Sequence, residues 1–242
     1  MSKLLDHHDI FYFRIPLDTV PFEELPVPIT ERYAYGRFYH VASVLNEPSI
    51  FHMFGVYDFL TVEPIKDIHL FKDKDLLLGE VISCEPPLRG RHKWPLLGQE
   101  PINIVKADLP HLKFGGKDKK TAFYLKEGNY YTFSGIETEY ENVKHLQEPD
   151  FNGETNIIIK IAIELIRRKL KELGQSISKQ EFENIAFSIF RNRFDSSKIN
   201  DTDIWHYIKH VIPEILEIPI YSEVPKAVRR KALNEVNGLE RD

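Results

Sequence analysis

The sequence predicts an α+β fold, with a curved antiparallel sheet or small open β-barrel followed by a bundle of about four helices. Two observations predict it. Residues 1–150 hold twelve of the fifteen prolines and nine of the twelve glycines, which is typical of short strands joined by turns. Residues 151–242 carry apolar stripes at helical spacing and few helix-breaking residues. We therefore expect two domains with separate cores, a β-rich domain at 1–150 and a helical domain at 151–242.

Segments rich in β-branched and aromatic residues are the predicted strands of the first half. They are residues 10–15, 32–41, 49–56, 76–82, 121–125 and 130–133, of which the last two form a hairpin. The segments between them leave little room for crossover helices, so the pairing should be largely antiparallel. Gly36 interrupts the second segment and indicates a bulge or the close approach of another backbone. Alternation in this strand places one set of residues on one face (Tyr33, Tyr35, Arg37 and Tyr39) and the other on the opposite face (Ala34, Gly36, Phe38 and His40).

Capping residues and breakers divide the second half into helices. A first helix is predicted from a cap at Thr155 or Asn156 to Gly174, where a left-handed C-terminal cap is expected. The Ser-Lys-Gln-Glu run at 178–181 is a capping box that opens a second helix. A third helix is perturbed by Pro213, and a fourth lies between Pro225 and Gly238.

Charge and cysteine content indicate which partners and which cellular compartment to expect. The net charge of the chain is −5, and residues 1–150 carry 17 Lys and Arg against 23 Asp and Glu. This acidic balance disfavours a dedicated nucleic-acid binder without excluding one, and it suits a basic protein partner. The single cysteine, Cys84, allows no internal disulfide, and no apolar segment is long enough to cross a membrane, so we expect a cytoplasmic protein. The sequence sets no oligomeric state.

No catalytic or metal-binding motif is recognisable, and we predict no catalytic residue, metal or cofactor. His206 and His210 lie four residues apart on a predicted helix, but two imidazoles alone do not complete a metal site. The His-His-Asp run at 7–9 likewise does not complete a metal site. The stretch 89–94 is the densest basic run, and arginines beside a tryptophan can hold phosphate or stack on a base. A solvated loop is the alternative interpretation of that stretch.

Several short motifs follow one another between residues 10 and 105. The first strand ends in Ile-Pro-Leu at 15–17, and Tyr-Ala-Tyr-Gly-Arg follows at 33–37. An apolar and charged strand at 78–82 precedes Trp-Pro-Leu-Leu-Gly at 94–98, with Pro101 beyond it. This order of motifs resembles immunity protein 26, a family of bacterial polymorphic toxin systems. The insert between residues 17 and 32 is longer than the tight turn of that family, and residues 106–242 lie outside the resemblance.

The resemblance implies a non-enzymatic immunity protein that binds and neutralises a cognate toxin encoded beside it. Protein interfaces use exposed aromatic anchors rimmed by charge. On that basis the candidate binding residues are Arg89, Arg91, His92, Lys93, Trp94, Tyr33, Tyr35 and Arg37. Trp94 is also expected to be largely buried, where its ring anchors the loop before it.

Two other functions remain open at this point. The first is a nucleic-acid- or nucleotide-binding accessory protein of a bacterial defence system. It would use the basic stretch at 89–94 and four arginines of the helical part (Arg191, Arg193, Arg229 and Arg230). The second is an enzyme of unrecognised type that uses scattered histidines and carboxylates. An adjacent toxin gene would favour the immunity function, and adjacent nuclease or helicase genes would favour the accessory function.

Overall fold

The first half of the chain forms an open antiparallel sheet, and the second half forms helices that pack against it. The computed structural model describes residues 8–46, 51–83, 93–105, 109–114, 121–125, 136–144, 146, 148, 153–193 and 199–224. The strands are β1 (Asp9–Pro16), β2 (Tyr33–His40), β3 (His52–Thr61), β4 (Leu76–Ser83), β5 (Leu96–Pro101), β6 (Leu112–Phe114), β7 (Thr121–Leu125) and β8 (Ile136–Glu139). The α-helices are α1 (Val41–Leu45), α2 (Tyr140–Val143), α3 (Glu154–Glu172), α4 (Lys179–Arg193) and α5 (Asp201–Glu217). The α+β prediction is confirmed.

The larger sheet has five strands in the order β4-β3-β2-β1-β5, and every pair within it is antiparallel. It does not close into a barrel. A second sheet of three strands has the order β6-β7-β8. Each of the strands β1 to β4 pairs with the next one in the sequence, because antiparallel neighbours can be joined by short connections. β5 pairs with β1 instead and places the first strand inside the sheet.

The strand predictions are confirmed for β1, β2, β4 and β7, whereas others need correction. β3 extends beyond its predicted end at residue 56, so Gly55 lies inside this strand. β5, β6 and β8 were not predicted, because each is short and carries weak alternation. The predicted strand at 130–133, and with it the hairpin, lies outside the described residues.

The helix signals of the sequence are largely confirmed. Gly174 has a φ of +64°, the left-handed cap expected after α3. The Ser178 amide donates to Glu181 Oε2 at 2.7 Å, and the Glu181 amide donates to Ser178 Oγ at 3.3 Å, which completes the capping box. The cap of α3 is Gly153, not Thr155 or Asn156. Thr155 Oγ1 accepts a hydrogen bond from Arg193 Nε at 3.2 Å instead.

Two further helix predictions have different outcomes. Pro213 lies inside α5, which nevertheless continues to Glu217. The fourth predicted helix, at 225–238, lies outside the described residues. Within the part of the chain that the structure describes, no helix has the length and apolar character needed to cross a membrane.

The two faces of the larger sheet enter different cores. One face, which we call the helix-covered face, shares one continuous apolar cluster with α3, α4 and α5. Sheet residues of that cluster include Phe11, Phe13, Phe38 and Phe54, and Trp94 joins them from the segment before β5. The other, which we call the tyrosine-rich face, forms a second cluster with residues of 65–71 and 102–112. Its sheet residues include Ile10, Tyr12, Tyr35, Tyr39, Met53, Tyr57 and Ile82.

The prediction of separate cores for the two halves is wrong. Helix α3 contacts both β4 and α4, and eleven of its residues are buried. A helix that is apolar on nearly all sides cannot be buried by one neighbouring layer. It therefore packs between the sheet and the remaining helices and joins both to one cluster. The domain boundary at residue 150 remains an interpretation of the composition.

Two glycines allow the sheet to pack closely. The register between β2 and β3 shifts between Ala34 and Gly36, as the predicted bulge requires. A Cβ atom at Gly36 would lie 2.8 Å from the carbonyl oxygen of Gly55, so no larger residue fits there without moving backbone. A Cβ atom at Gly55 would lie 3.1 Å from Cγ of Glu80. Gly55 thus leaves room for the Glu80 side chain to cross β3.

Candidate interaction surface

The structure separates the residues that the sequence grouped as a binding site. Trp94 is buried, with 1% of its surface exposed, and its ring centroid lies 5.3 Å from that of Phe54. Tyr35 is fully buried, Tyr33 and Arg37 are half-buried, and Lys93 is exposed. The other candidates, Arg89, Arg91 and His92, lie outside the described residues. The expected burial of Trp94 is confirmed.

Trp94 and the tyrosines of β2 do not form one patch. Trp94 belongs to the helix-covered cluster, whereas Tyr35 and Tyr39 belong to the tyrosine-rich cluster on the opposite face. Trp94, Tyr35 and Tyr39 are all buried, so none of them can contact a partner while the protein is folded. Among the described candidates, Lys93, Tyr33 and Arg37 retain surface for contact.

Arg37 is the centre of a polar cluster within the tyrosine-rich face. Its Nε donates to Glu80 Oε1 at 2.8 Å, and its Nη2 lies 2.7 Å from the same oxygen. Tyr39 donates its hydroxyl to Glu80 Oε2 at 2.8 Å. The Glu80 side chain is 4% exposed and that of Arg37 is 26% exposed. Glu80 therefore has partners at both oxygens, as a buried carboxylate requires.

Burial and charge shift the pKa values of this cluster. Burial would lower the pKa of Arg37, but the carboxylate of Glu80 outweighs it, so the pKa rises and the guanidinium stays charged. Burial raises the pKa of Tyr57, against the opposing effect of the Arg37 charge. Burial, with the charge of Glu100, raises the pKa of Tyr12 to about 12. The tyrosines thus remain neutral near pH 7, and the charge of Arg37 is balanced by Glu80.

Strand β5 is the exposed edge of the larger sheet. Its side chains are half-buried or exposed, whereas those of β4, at the opposite edge, are almost all buried. Leu96 is 43% exposed at the start of the strand. Gln99 is exposed and donates its side-chain amide to Asp9 Oδ2 at 2.8 Å. Glu100 bonds to Lys72 Nζ at 2.8 Å, which ties the tyrosine-rich side of β5 to the segment before β4.

The backbone of β5 has one paired side and one open side. Ile102 donates its amide to the carbonyl of His8 at 2.8 Å, so that residue faces β1. Successive residues of a strand alternate in direction, so Glu100 also faces β1, whereas Gln99 and Pro101 face outward. No strand of the described part of the chain pairs with this outward side. An edge of this kind is a template for another strand.

Sequence reasoning did not identify β5 as a functional element. The Leu-Leu-Gly-Gln-Glu-Pro run at 96–101 lacks the alternation of a half-buried strand. One signal was nevertheless present. Pro101 cannot donate to a ladder, and prolines in sheets are largely confined to edge strands, first residues of strands and bulges. A short segment that ends in proline is therefore typical of an edge.

The described histidine and arginine candidates of the helical part do not form a chemical site, and Arg229 and Arg230 lie outside the described residues. His206 and His210 are exposed with ring centroids 4.9 Å apart, and the described residues contain no cluster of three or more potential metal ligands. Arg191 Nε lies 3.2 Å from Asp201, and Arg193 Nη2 lies 3.2 Å from Glu154. Both arginines therefore have carboxylate partners within the protein. Of the 7–9 run, His8 and Asp9 are described and lie at the start of β1.

Comparison of the chain with protein-family models, with curated proteins and with solved structures finds no match. The fold and the β5 edge are therefore the basis for a functional proposal, together with the resemblance in the first half of the chain.

Proposed function

We propose that this protein is a non-enzymatic interaction protein of the immunity class, which binds a cognate toxin in the cytoplasm and neutralises it. The observation that carries the proposal is the exposed edge strand β5. It lies inside the segment that resembles immunity protein 26, and it places Leu96 at the surface. Apolar groups surrounded by polar side chains are the usual centre of a protein interface.

The surface around β5 has the components of such an interface. Lys93 and Gln99 are exposed near Leu96 and supply a polar rim. The strand follows buried Trp94 and is bonded to β1, so the surface is ordered before a partner arrives. Preorganisation of this kind lowers the entropic cost of association.

The nucleic-acid alternative has weaker support. Arg191 and Arg193 are engaged with Asp201 and Glu154, so their charge is already balanced. The net charge of −5 also opposes association with a phosphate backbone. A protein partner is the better fit to the same surface.

The experiment measures binding of this protein to the product of the adjacent gene, purified separately. We expect association, and we expect Leu96→Asp to weaken it at least about tenfold, equivalent to about 1.4 kcal/mol. The matched control is Leu173→Asp, since Leu173 is 55% exposed but lies at the end of α3. Absence of association with the unmodified protein overturns the proposal. Equal weakening by both variants assigns the effect to charge and not to β5.

A further inference from the structure

Two histidines face each other on neighbouring strands of the larger sheet. His40, the last residue of β2, lies directly opposite His52, the first residue of β3, and their ring centroids are 4.2 Å apart. Val41 donates its amide to the carbonyl of Phe51 at 3.1 Å, so the next pair along the strands is a hydrogen-bonded one. His40 and His52 are therefore a pair without mutual backbone hydrogen bonds, the arrangement in which opposite side chains approach most closely.

Both imidazoles are buried beside an aromatic ring of the helix-covered face. His40 is 8% exposed and His52 is 9% exposed, and the ring of Phe38 stacks on His52 with the centroids 4.8 Å apart. His52 Nδ1 lies 3.2 Å from the carbonyl oxygen of Ser83. Because a carbonyl oxygen can only accept, Nδ1 carries the proton of the neutral ring, and a further proton enters at Nε2.

The charged groups of the neighbouring described elements are already paired. On the three strands next to the histidines, Arg37 is bonded to Glu80 on the tyrosine-rich face, and Asp58 is bonded to Arg168 at the far end of β3. The tyrosines of these strands also belong to the tyrosine-rich face, and α1 carries no charged residue. The buried charged side chains of the helices have oppositely charged neighbours, which are Arg167 for Glu164, Lys179 for Glu183 and Glu154 for Arg193.

We propose that His40 and His52 form an acid-sensitive switch that holds α1 against the sheet when both rings are neutral and releases it when both are protonated. An ordinary imidazole gains its proton at a pH of about 6.5, so mild acid is the range in which the pair changes charge. Two like charges 4.2 Å apart repel each other strongly where little water screens them. This inference is independent of the proposed function.

Helix α1 is the element that the repulsion moves. It begins directly after His40 and packs Val41, Val44 and Leu45 on the tyrosine-rich cluster. The two histidines flank the connection that contains this helix. The ends of β2 and β3 can therefore separate there while the rest of the sheet stays paired.

Hydrogen exchange of the unmodified protein tests the switch. Between a pH of about 7.5 and about 5, on either side of the ordinary imidazole value, we expect the protection factor of the Val41 amide to fall at least about tenfold. The amide of Ile163, in the middle of α3, should keep its protection. Protection of Val41 that persists at the lower pH overturns the proposal, whether the rings are charged or neutral. Equal loss at Ile163 also overturns it, because the protein then unfolds as a whole.

A variant of the pair assigns the effect to its charge. His52→Asn keeps a side-chain N–H for the Ser83 carbonyl but takes up no proton, and we expect its Val41 protection to change less than about threefold over the same interval. The matched control is His206→Asn/His210→Asn, which removes an exposed pair with ring centroids 4.9 Å apart and should retain the tenfold fall.

Two results with the variants contradict the assignment to the buried pair. One is a His52→Asn variant that retains the tenfold fall, and the other is a control that loses it. His40→Gln makes the same test at the other ring. If neither single variant folds, the exchange of the unmodified protein decides the proposal.

Discussion

Both faces of the five-stranded sheet are buried, but they bury different kinds of side chain. The helix-covered face is apolar, with phenylalanines and Trp94 packed against isoleucines of α3. The tyrosine-rich face buries hydroxyl groups and the carboxylate of Glu80 together with its apolar rings. An apolar core loses stability when volume is lost, whereas a polar cluster loses it when one partner of a pair is removed. Substitutions on the two faces should therefore differ in kind.

The largest effect is expected on the helix-covered face. Trp94→Ala should lower the free energy of unfolding by about 3–5 kcal/mol, because the ring is buried against Phe54. Urea denaturation measures this change. The matched control is Trp205→Ala in α5, whose half-buried ring stacks on Phe187 and should cost less. A larger loss at Trp205 would contradict the assignment of Trp94 to the main core.

The tyrosine-rich face should be most sensitive at Glu80. Glu80→Leu should lower the free energy of unfolding by about 3 kcal/mol, because Arg37 and the Tyr39 hydroxyl lose their partner. The double variant Arg37→Met/Glu80→Leu removes both charges, and we expect it to recover most of this loss. Chemical denaturation of the three proteins tests the pattern. If the double variant is no more stable than Glu80→Leu, the unpaired charge of Arg37 is not the cause of the loss.

Alanine substitutions at Gly36 and Gly55 compare the packing of the two faces at one position each. Gly36→Ala should destabilise by about 2 kcal/mol, because its Cβ would meet the backbone oxygen of Gly55 at 2.8 Å. Gly55→Ala should cost less, because its Cβ would lie 3.1 Å from a side-chain carbon of Glu80, a longer contact than the one at Gly36. Thermal melts of both variants give the order. Equal losses would show that Glu80 is held as rigidly as backbone.

Two tyrosines of the same face should differ in how much stability the loss of the hydroxyl costs. Tyr39→Phe should cost about 1.5 kcal/mol, because a hydrogen bond to a charged carboxylate is lost. Tyr57→Phe should cost less, because its buried hydroxyl lies beside Arg37 without a hydrogen bond of good geometry. Urea midpoints separate the two cases, and a loss at Tyr57 as large as at Tyr39 would contradict the assignment.

The smallest effect is expected at alkaline pH and again involves the tyrosine-rich face. The pKa of Tyr12 is about 12 in the folded protein, because of burial and the charge of Glu100, against about 10 in an unfolded chain. This raised pKa contributes stability that is fully present below pH of about 10 and is lost as pH rises through 12. Tyr12→Phe should therefore flatten the fall in melting temperature over that interval. An unchanged slope would argue against the raised pKa.

Local signals in the sequence predicted much of the fold. The Gly36 bulge, the capping box at 178–181 and the cap at Gly174 each depend on neighbouring residues and are confirmed. The shared core was missed because it depends on where α3 packs. Its apolar surface was interpreted as the centre of a helical bundle, although the same surface can also be buried by a sheet.

Less of the candidate site could be predicted from the sequence. Alternation correctly placed Tyr35 and Arg37 on one face, but it does not tell whether that face is covered. The described segments that cover it, 65–71, 102–104 and 109–112, carry no strong pattern of their own. The open edge of β5 depends on strand order, which follows from tertiary pairing and not from local preference.

The division of the sheet between two clusters also bears on synthesis of the chain. The described residues of the tyrosine-rich cluster lie between Ile10 and Leu112, so their contacts can form while later codons are being translated. The apolar cluster on the opposite face includes residues as late in the chain as Ile215. That interval is on the order of ten seconds at about 5–20 residues per second, during which the apolar cluster on that face is incomplete. Chaperone dependence of the nascent protein should therefore arise from Phe11, Phe38 and Phe54 and end when α5 emerges.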